Sequence, residues 1–378
     1  MRRRLIINAL RAASPVLVHR RLPDTPRRIL IQSTGGFGNT LMATPLIRAV
    51  RETFPEAHLA LFTSGGGAAL LGHSTHLDAV YADAGGGLAY LQQARALRAE
   101  SYDVCFMALN AVVFRHGLRP ILSGIPERII HRYPFRPDED FTNLYTHVVD
   151  KQPGRHDCET NLDLLRQYTG NRHIAAGRME LHLPDSVREA ARAKLTDLGW
   201  SGRDSALAVC PGCSAWFRDK RWPLTHLVPL LEGLISDHPD LNVFGFCGPE
   251  EQEEAAYLSA HVRHPRFCLV QGLTLPEMAA ALQLCGRVFS NDSLPVHICS
   301  ALQVPVAALY GPTDPQLVGP WKTPSVVVQS PCDYAPYFRI PYPPDMAKGD
   351  PCMGMITVSH AREAVEQLLA LPGLPAQA

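Results

Sequence analysis

Residues 287–315 read RVFSNDSLPVHICSALQVPVAALYGPTDP and contain the strand, helix and strand that decide the fold class. The run before Asn291 predicts a strand, Pro295 predicts the first turn of a helix, and VPVAALYG predicts the next strand. Two strands joined through a helix belong to a parallel sheet, whose ligands bind beyond the carboxyl ends of its strands. We therefore expect Asp292 and Ser293, which follow the first strand, to lie at a ligand site.

The predicted helix in this stretch directs its first turn at that site. Its unpaired N–H groups and the positive end of its dipole favour an anion. Asp292 either caps the helix or binds a hydroxyl group of a sugar, and the sequence leaves both roles open. His297 lies one turn into the helix, where packing is the more common role of a lone histidine and ligand binding is the alternative.

Strand-like runs alternate with helix-like segments along most of the remaining chain. RILIQ, HLALFTS and YDVCFMAL are such runs in the first half, and SALAVCPG, NVFGFCG and FCLVQG are their counterparts in the second. A chain of 378 residues is long enough for two units of this kind. The pattern predicts an α/β protein with two doubly wound, Rossmann-like domains that face a cleft.

Changes in the pattern set the domain boundaries. We expect a basic extension over residues 1–26, Rossmann-like domains over 27–180 and 181–355, and a C-terminal helix and tail over 356–378. Residues 110–150 show no clear period, which predicts long loops at the edge of the cleft. The segment PDSVREAARAKLTDLG predicts a helix that Asp185 caps and Gly199 ends.

The charge balance excludes one class of partner. The chain has 36 Lys and Arg residues against 36 Asp and Glu residues, so its formal net charge is zero. No long-range field attracts a polyanion, and nucleic acid is not an expected partner. The apolar runs are shorter than the about 18 to 20 residues of a spanning helix, which predicts a cytoplasmic protein.

The first twenty residues, MRRRLIINALRAASPVLVHR, combine arginines with apolar residues. As a helix they would suit peripheral contact with the inner face of an anionic membrane. The alternative, which we favour, is a basic tail that is loose or packs on its own domain.

The ten cysteines are scattered, and several lie inside apolar runs, which favours buried, reduced thiols. Cys210 and Cys213 form a C-x-x-C without a second pair, so the sequence gives little support for a metal site. Whether Cys332 and Cys352 pair cannot be deduced from their positions.

A glycine-rich turn follows the first predicted strand, where residues 33–45 read STGGFGNTLMATP. Leu41 stands where a dinucleotide fingerprint has its third glycine, and no Lys-Ser or Lys-Thr follows as in a phosphate-binding P-loop. The turn either has a structural role or presents N–H groups to an anion or an acceptor hydroxyl group.

Two loops in the second half carry charges at predicted strand ends. CPGCSAWFRDKRWP, residues 210–223, presents Arg218, Lys220 and Arg221, which suit a diphosphate or form a solvated basic loop. Glu250 and Glu251 follow NVFGFCGP, where they suit a ribose diol or the start of a helix. Asp138, Glu139 and Asp140 form a D-x-D that ends no strand, so we interpret it as a solvated loop and predict no metal.

Together these stretches resemble the heptosyltransferase family, glycosyltransferase family 9. RRILIQSTGGFGNTLMATP resembles its first strand and loop, CPGCSAWFRDKRWP its H-P-G-A and K-R-W-P, and FCGPEE its G-G-P-E-E. SNDSLPVHICSALQVPVAALYGPTDP resembles its N-D-S-G-P-M-H motif and the following G-P-T. The resemblance implies the GT-B fold, with the acceptor on the N-terminal domain and a nucleotide sugar on the C-terminal one.

The resemblance implies inverting transfer of a sugar from a nucleoside diphosphate, ADP-heptose being favoured, to a hydroxyl group of a lipopolysaccharide-like glycan or a natural product. It implies no metal and no cofactor, and it assigns to Lys220 the stabilisation of the leaving diphosphate. The residues it assigns to the donor are Gly212, Lys220, Glu250, Glu251, Asp292, Ser293, Leu294, Pro295 and His297, and those of the acceptor loop are Gly36, Gly38, Asn39 and Thr40.

Two residues depart from the family pattern. Asn39 stands where the family has an aspartate base, and an amide cannot accept the proton. Leu294 replaces a glycine of N-D-S-G, which narrows the space beside the donor. Candidate substitute bases are His116, His131, His147 and His156. The alternatives to an active transferase are a catalytically silent sugar-nucleotide-binding protein and an NAD-dependent oxidoreductase.

Overall fold

The computed structural model describes residues 25–109, 114–132, 142–202, 205–332 and 352–372. The chain divides into two compact units, Met1–Arg178 and Met179–Ala378. The predicted N-terminal membrane segment and the D-x-D of residues 138–140 lie outside the described residues.

The first unit contains a six-stranded parallel sheet with the strand order β3-β2-β1-β4-β5-β6. This is the order of a Rossmann fold, in which the direction of winding reverses between β1 and β4. The strands are β1 (Arg28–Ser33), β2 (His58–Thr63), β3 (Ala79–Ala82), β4 (Val104–Met107), β5 (Glu127–Arg132) and β6 (His147–Asp150).

Helices lie between consecutive strands from β1 to β5, and one more helix follows β6. The helices are α1 (Phe37–Met42), α2 (Thr44–Thr53), α3 (Gly65–Leu71), α4 (Gly87–Glu100), α5 (Phe114–Leu122) and α6 (Asp157–Thr169). Apolar side chains from β1, β2, β4 and β5 pack with α4 and α5 in one core cluster, which includes Phe62, Leu97 and Ile121. The buried strands therefore read as continuous apolar runs, as expected for a parallel sheet covered by helices.

The second unit repeats this topology. Its parallel sheet has the order β12-β11-β10-β7-β8-β9, so its winding reverses between β7 and β10. The strands are β7 (Ala206–Cys210), β8 (Asn242–Phe246), β9 (Phe267–Val270), β10 (Val288–Asn291), β11 (Val306–Tyr310) and β12 (Ser325–Gln329). The predicted α/β fold with two Rossmann-like domains is confirmed.

The helices of the second unit follow its strands, apart from α7, which precedes them. They are α7 (Asp185–Asp197), α8 (Leu224–Asp237), α9 (Gln252–His261), α10 (Leu275–Cys285), α11 (Leu294–Leu302), α12 (Pro315–Val318) and α13 (Val358–Ala370). The C-terminal helix α13 buries Ala361, Val365 and Leu368 in the core that α8 and the sheet form.

Two local predictions were wrong. Residues 110–150 contain α5, β5 and β6 in addition to loops, because the buried polar residues Arg128 and His131 interrupt the apolar pattern of β5 without ending it. Helix α7 is not capped by Asp185, which lies in its first turn after Pro184 at the N-cap. The predicted end at Gly199 is confirmed by its positive φ of 87°.

The structure pairs Cys332 with Cys352 in a disulfide, with Cα atoms 5.8 Å apart, which answers a question that the sequence left open. The other eight cysteines are free thiols, and all of them except Cys268 are buried. Within the described ranges, no helix has both the length and the apolar character of a membrane span.

Candidate functional site

The winding of the second sheet reverses between β7 and β10. Asn291, at the end of β10, is hydrogen-bonded to the loop that follows β7. Its side-chain Nδ2 donates to Pro211 O at 2.6 Å, and its Oδ1 accepts from the backbone N–H of Trp222 at 3.2 Å. Asn291 is 3% exposed. One buried amide therefore fixes both ends of the loop that contains Lys220.

Lys220 and Asp292 form an ion pair at this edge, with 2.7 Å between Nζ and Oδ2. The hydroxyl group of Thr313, which follows β11, donates to the same oxygen at 2.5 Å. Three loops, which follow β7, β10 and β11, thus meet at one carboxylate oxygen. The backbone N–H of Asp292 donates to Leu309 O of β11. The N-cap residue of the following helix is Ser293, so Asp292 does not cap it.

Asp292 remains ionised although it is buried. Burial acts to raise its pKa, but the positive charge of Lys220 and the hydrogen bonds from Lys220 and Thr313 outweigh burial and hold the pKa below its ordinary value. The pair therefore combines a carboxylate that only accepts hydrogen bonds with an ammonium group that only donates them.

The three cations of the loop have separate partners. Arg218 pairs with Glu253 at the surface at 3.2 Å, and Arg221 pairs with the buried Glu254 and also donates to Cys213 O. Both acidic residues belong to α9, so these two arginines fasten the loop to that helix. Of the three predicted diphosphate ligands, Lys220 is the one that the structure brings to Asp292.

The two glutamates at the end of β8 contact the loop after β7. Glu250 Oε2 accepts from the backbone N–H of Ala215 at 3.0 Å, and Glu251 Oε2 accepts from that of Gly248 at 2.5 Å. A Cβ atom at Gly212 would lie 1.9 Å from Glu251 Oε1, so any larger residue there would displace the Glu251 side chain. Burial raises the pKa of Glu251.

Helix α11 begins beside this ion pair. Ser293 is its N-cap residue in an extended conformation, without a side-chain capping bond, and Pro295 lies in the first turn. Leu294 is half-buried, whereas His297 is 5% exposed and close enough to Asp292 to lower its pKa further. The structure thus brings the predicted residues of this motif to one edge, with His297 packed inside the unit.

The glycine-rich turn of the first unit stands at the corresponding position, after β1. Gly36 is the N-cap residue of α1, which contains Gly38 and Asn39. The Asn39 side chain folds back over Gly35, where an added Cβ would lie 2.6 Å from its Nδ2. Thr40 is fully buried and its hydroxyl group lies 3.1 Å from Thr63 Oγ1, so it anchors the helix to the sheet.

Asn161 of α6 holds this turn in place through two hydrogen bonds. Its Nδ2 donates to Met42 O at the end of α1, at 3.1 Å, and its Oδ1 accepts from the backbone N–H of Leu109 at 2.8 Å. It is 1% exposed, so both bonds are shielded from water. This side chain, which the sequence analysis missed, holds the α1–α2 junction to the end of β4.

The four candidate bases lie in different places. His147 pairs with Glu127 at 2.8 Å at the amino ends of β6 and β5, and His156 caps α6. His131 is buried within β5, where burial lowers its pKa to about 3. His116 is the one beside the carboxyl end of β1, where Gln32 Nε2 donates to its backbone oxygen at 2.8 Å.

No group of three or more histidine, cysteine, aspartate or glutamate residues in the described ranges is arranged to hold a metal ion. The Cys213 thiol instead donates to Phe217 O at 2.9 Å. Metal-independent transfer remains a prediction.

Two Rossmann-like units, each with polar loops where its winding reverses, define an α/β protein of the GT-B class. The pattern of glycosyltransferase family 9 (heptosyltransferase) matches residues 90–344, more than half of the chain. The chain belongs to this family and is a glycosyltransferase, which confirms the resemblance.

Comparisons with individual proteins agree with this family assignment. The chain is 24% identical to lipopolysaccharide heptosyltransferase 2 of Escherichia coli K12 over 303 residues, 78% of this chain and 85% of that protein. A family 9 glycosyltransferase of Veillonella parvula superposes with a TM-score of 0.75 at 19% identity, covering 91% of this chain and 97% of the other. The ADP-heptose lipopolysaccharide heptosyltransferase II of E. coli gives a TM-score of 0.71 at 21% identity, over 90% and 98% of the two chains. These structures establish the shared fold.

Proposed function

We propose that this glycosyltransferase moves a sugar, with inversion, from a nucleoside diphosphate donor to a hydroxyl group of a lipopolysaccharide-like glycan or a natural product. ADP-heptose is the favoured donor. The names of the relatives support this choice, since one solved neighbour is described as an ADP-heptose lipopolysaccharide heptosyltransferase. The observation that carries the proposal is the pair of Lys220 and Asp292 at the edge where the second sheet reverses its winding.

Lys220 stabilises the leaving diphosphate in this proposal. Negative charge grows on the phosphate oxygens as the bond to the sugar breaks, and a fixed cation lowers the energy of that state. Asp292 holds Nζ in place, and an ammonium group has three N–H donors, so it can contact Asp292 and a phosphate oxygen together. The first turn of α11, beside the pair, adds the positive end of its dipole.

Asp292 and the two glutamates bind the rest of the donor. Lys220 and Thr313 both use Oδ2 of Asp292, and Oδ1 takes part in neither bond, so we assign it to a hydroxyl group of the sugar. Glu250, which accepts from Ala215, and Glu251, which lies beside Gly212, are assigned to the ribose diol. No cofactor is assigned.

Asn39 orients the acceptor in this proposal. Its amide can hold a hydroxyl group through hydrogen bonds but cannot accept the proton that leaves it. Asn39→Asp introduces a base at the family's position. An enzyme that uses another proton acceptor should change little or lose acceptor fit, whereas a catalytically silent binding protein would gain transfer.

The direct test is the release of ADP from ADP-heptose in the presence of lipopolysaccharide that lacks heptose, with transfer followed by mass spectrometry. Transfer that disappears in Lys220→Met supports the proposal. Binding of NAD with no response to any nucleotide sugar would contradict it and favour the oxidoreductase alternative. A cytoplasmic location at the inner face of the membrane stays a prediction from the sequence.

A further inference from the structure

Five polar residues meet at the carboxyl edge of the first sheet, and we call them the Arg119 cluster: Gln32, Asp83, Arg115, His116 and Arg119. Asp83 follows β3 and accepts from Arg119 Nη2 at 2.9 Å and from Arg115 Nη2 at 3.2 Å. His116 Nε2 lies 3.6 Å from the same carboxylate. Gln32, which donates to His116 O, directly precedes the glycine-rich turn of residues 33–45.

Arg119 is fully buried, and its hydrogen bonds are incomplete. Its guanidinium lies over the ring of Phe62 at 4.0 Å and that of Tyr90 at 4.7 Å. Nη2 is bonded to Asp83, but Nε and Nη1 are buried and have no hydrogen-bond partner in the part of the chain that the structure describes. A buried donor without an acceptor is costly, so such a donor calls for a ligand or an ordered water.

Arg128 of the same unit is a buried arginine with a structural role, and its hydrogen bonds can be compared with those of Arg119. It is 4% exposed, and its Nε, Nη1 and Nη2 all donate to main-chain carbonyl groups of Ile125, Pro126 and Leu144. Both side chains are buried, but only Arg128 has its donors satisfied by the protein. The contrast indicates that the open donors of Arg119 serve something outside the described protein atoms.

The charges of the cluster are also unbalanced. The charged groups that face Arg119 from the packed elements are Asp83 and Arg115, which gives two guanidinium groups against one carboxylate. Burial, followed by the charge of Arg115, lowers the pKa of His116 to about 4, and burial raises that of Tyr90 to about 12, so both are neutral at pH 7. The cluster therefore has a net charge of +1, which one negative charge on a ligand would balance.

His116 contributes a further donor. Its neutral ring accepts from Arg115 Nη2 through Nε2 at 3.0 Å, which places the ring proton on Nδ1. Nδ1 is buried and has no hydrogen-bond partner among the described residues. The cluster thus offers Nε and Nη1 of Arg119 and Nδ1 of His116, together with one open acceptor, Gln32 Oε1.

We propose that the Arg119 cluster binds an oxyanion, a carboxylate or a phosphate monoester, carried by the acceptor substrate. The proposal rests on the proposed function and narrows its acceptor to an acidic one. Arg115, whose side chain is 42% exposed, meets the oxyanion at the rim, and Arg119 and His116 bind it further in. Gln32 Oε1 accepts from a hydroxyl group of the same ligand. The site lies where the first sheet reverses its winding, next to the turn that contains Asn39.

Inorganic phosphate is the first probe, added to the full chain with saturating ADP so that the donor site is occupied, at constant ionic strength. At ten times its dissociation constant, phosphate should raise the melting temperature of the wild type by about 3–5 °C. Arg119→Met should abolish this shift while the protein stays folded, because the change removes an unbalanced charge and keeps the contact with Phe62 and Tyr90.

Two further variants keep the test decisive. Arg128→Met should lower the melting temperature and leave the phosphate shift unchanged. Arg115→Gln, at the exposed rim, should weaken the shift without loss of stability. A phosphate shift of equal size in the wild type and in Arg119→Met would overturn the proposal. A protein that ADP does not stabilise would contradict the proposed donor site instead, so the two failures are distinguishable.

A second set of probes separates an acceptor from a free anion. Mannose 6-phosphate, inorganic phosphate and mannose are compared in the wild type and in Arg119→Met. In the wild type, mannose 6-phosphate should raise the melting temperature at a lower concentration than inorganic phosphate does. This difference should be absent from Arg119→Met, and mannose should not change the melting temperature of either protein. If mannose 6-phosphate and inorganic phosphate gave half of their thermal shift at the same concentration, the assignment of the site to the acceptor would be overturned.

Discussion

Lys220 Nζ lies 2.7 Å from Asp292 Oδ2, and the two residues belong to loops that follow β7 and β10, the strands between which the second sheet reverses its winding. A cation held by a buried carboxylate at this position is suited to a diphosphate leaving group. The proposed function depends on this pair more than on any other contact.

Lys220→Met should lower kcat for sugar transfer about 10²- to 10³-fold, the usual cost of losing a group that stabilises transition-state charge. Steady-state kinetics with ADP release as the readout measures the effect. Arg218→Met is the matched control, because Arg218 pairs with Glu253 at the surface and its loss should lower kcat far less than the loss of Lys220.

Asp292→Asn should destabilise the protein by about 2–4 kcal/mol, because Lys220 loses a buried counter-charge. The folded pKa of Asp292 is depressed, so its contribution is fully present above the unfolded pKa of about 4 and is lost as the pH falls through the folded value. The difference between the two proteins in urea unfolding should be constant from pH 8 to 5 and shrink below about pH 4. A difference that grows at low pH would refute this account of the pair.

Gly212→Ala should weaken ADP binding and lower stability by about 1–3 kcal/mol, because the new methyl group would lie 1.9 Å from Glu251 Oε1. Calorimetric titration with ADP and thermal unfolding measure the two effects. Gly202→Ala is the control, since an added Cβ there has no neighbouring atom within 4 Å in the described part of the chain. Unchanged ADP affinity in Gly212→Ala would remove Glu251 from the donor site.

Asn161→Asp should cost about 2–4 kcal/mol at pH 7, because the carboxylate cannot donate to Met42 O and is buried beside it. The deficit should shrink as the pH falls, since the protonated acid regains a donor. Asn171→Asp is the control, because exposed Asn171 uses only its side-chain oxygen, towards the backbone N–H of His173. A deficit that does not change with pH would argue against the assigned hydrogen bonds.

His131→Gln should flatten the dependence of stability on pH. Burial lowers the pKa of His131 to about 3, so the folded protein keeps it neutral while the unfolded chain binds a proton below about pH 6.5. The wild type therefore loses about 2 kcal/mol from this residue as the pH falls from 7 to 5. Urea unfolding at the two pH values measures the loss, which should be absent from the variant.

The strand, helix and strand of residues 287–315 were predictable because their signals are local: apolar runs, Pro295 in the first helical turn and polar residues at the strand end. The strand β5 was missed for the opposite reason. Arg128 can be buried there because the main-chain oxygen of Leu144, sixteen residues further along the chain, accepts from its Nε and Nη2. The apolar periodicity of a sequence does not predict such a contact.

The candidate sites show the same limit. The sequence placed three cations on one loop, but the acidic partners of Arg218 and Arg221 lie more than thirty residues away, on α9. The Arg119 cluster joins β1, the end of β3 and α5, segments that are far apart along the chain. Thr313 could have been predicted as a residue of this site, since it follows a predicted strand and therefore lies at the same edge of the sheet as Asp292.

The most direct test of the central claim is a thermal-shift comparison of ADP-heptose, GDP-, UDP- and dTDP-sugars and NAD on the wild type and Lys220→Met. We expect a nucleotide sugar, ADP-heptose above all, to raise the melting temperature of the wild type, and the shift to be much smaller in the variant. A shift with NAD alone, or no shift with any nucleotide sugar, would contradict the assignment of Lys220 and Asp292 to a nucleotide-sugar site.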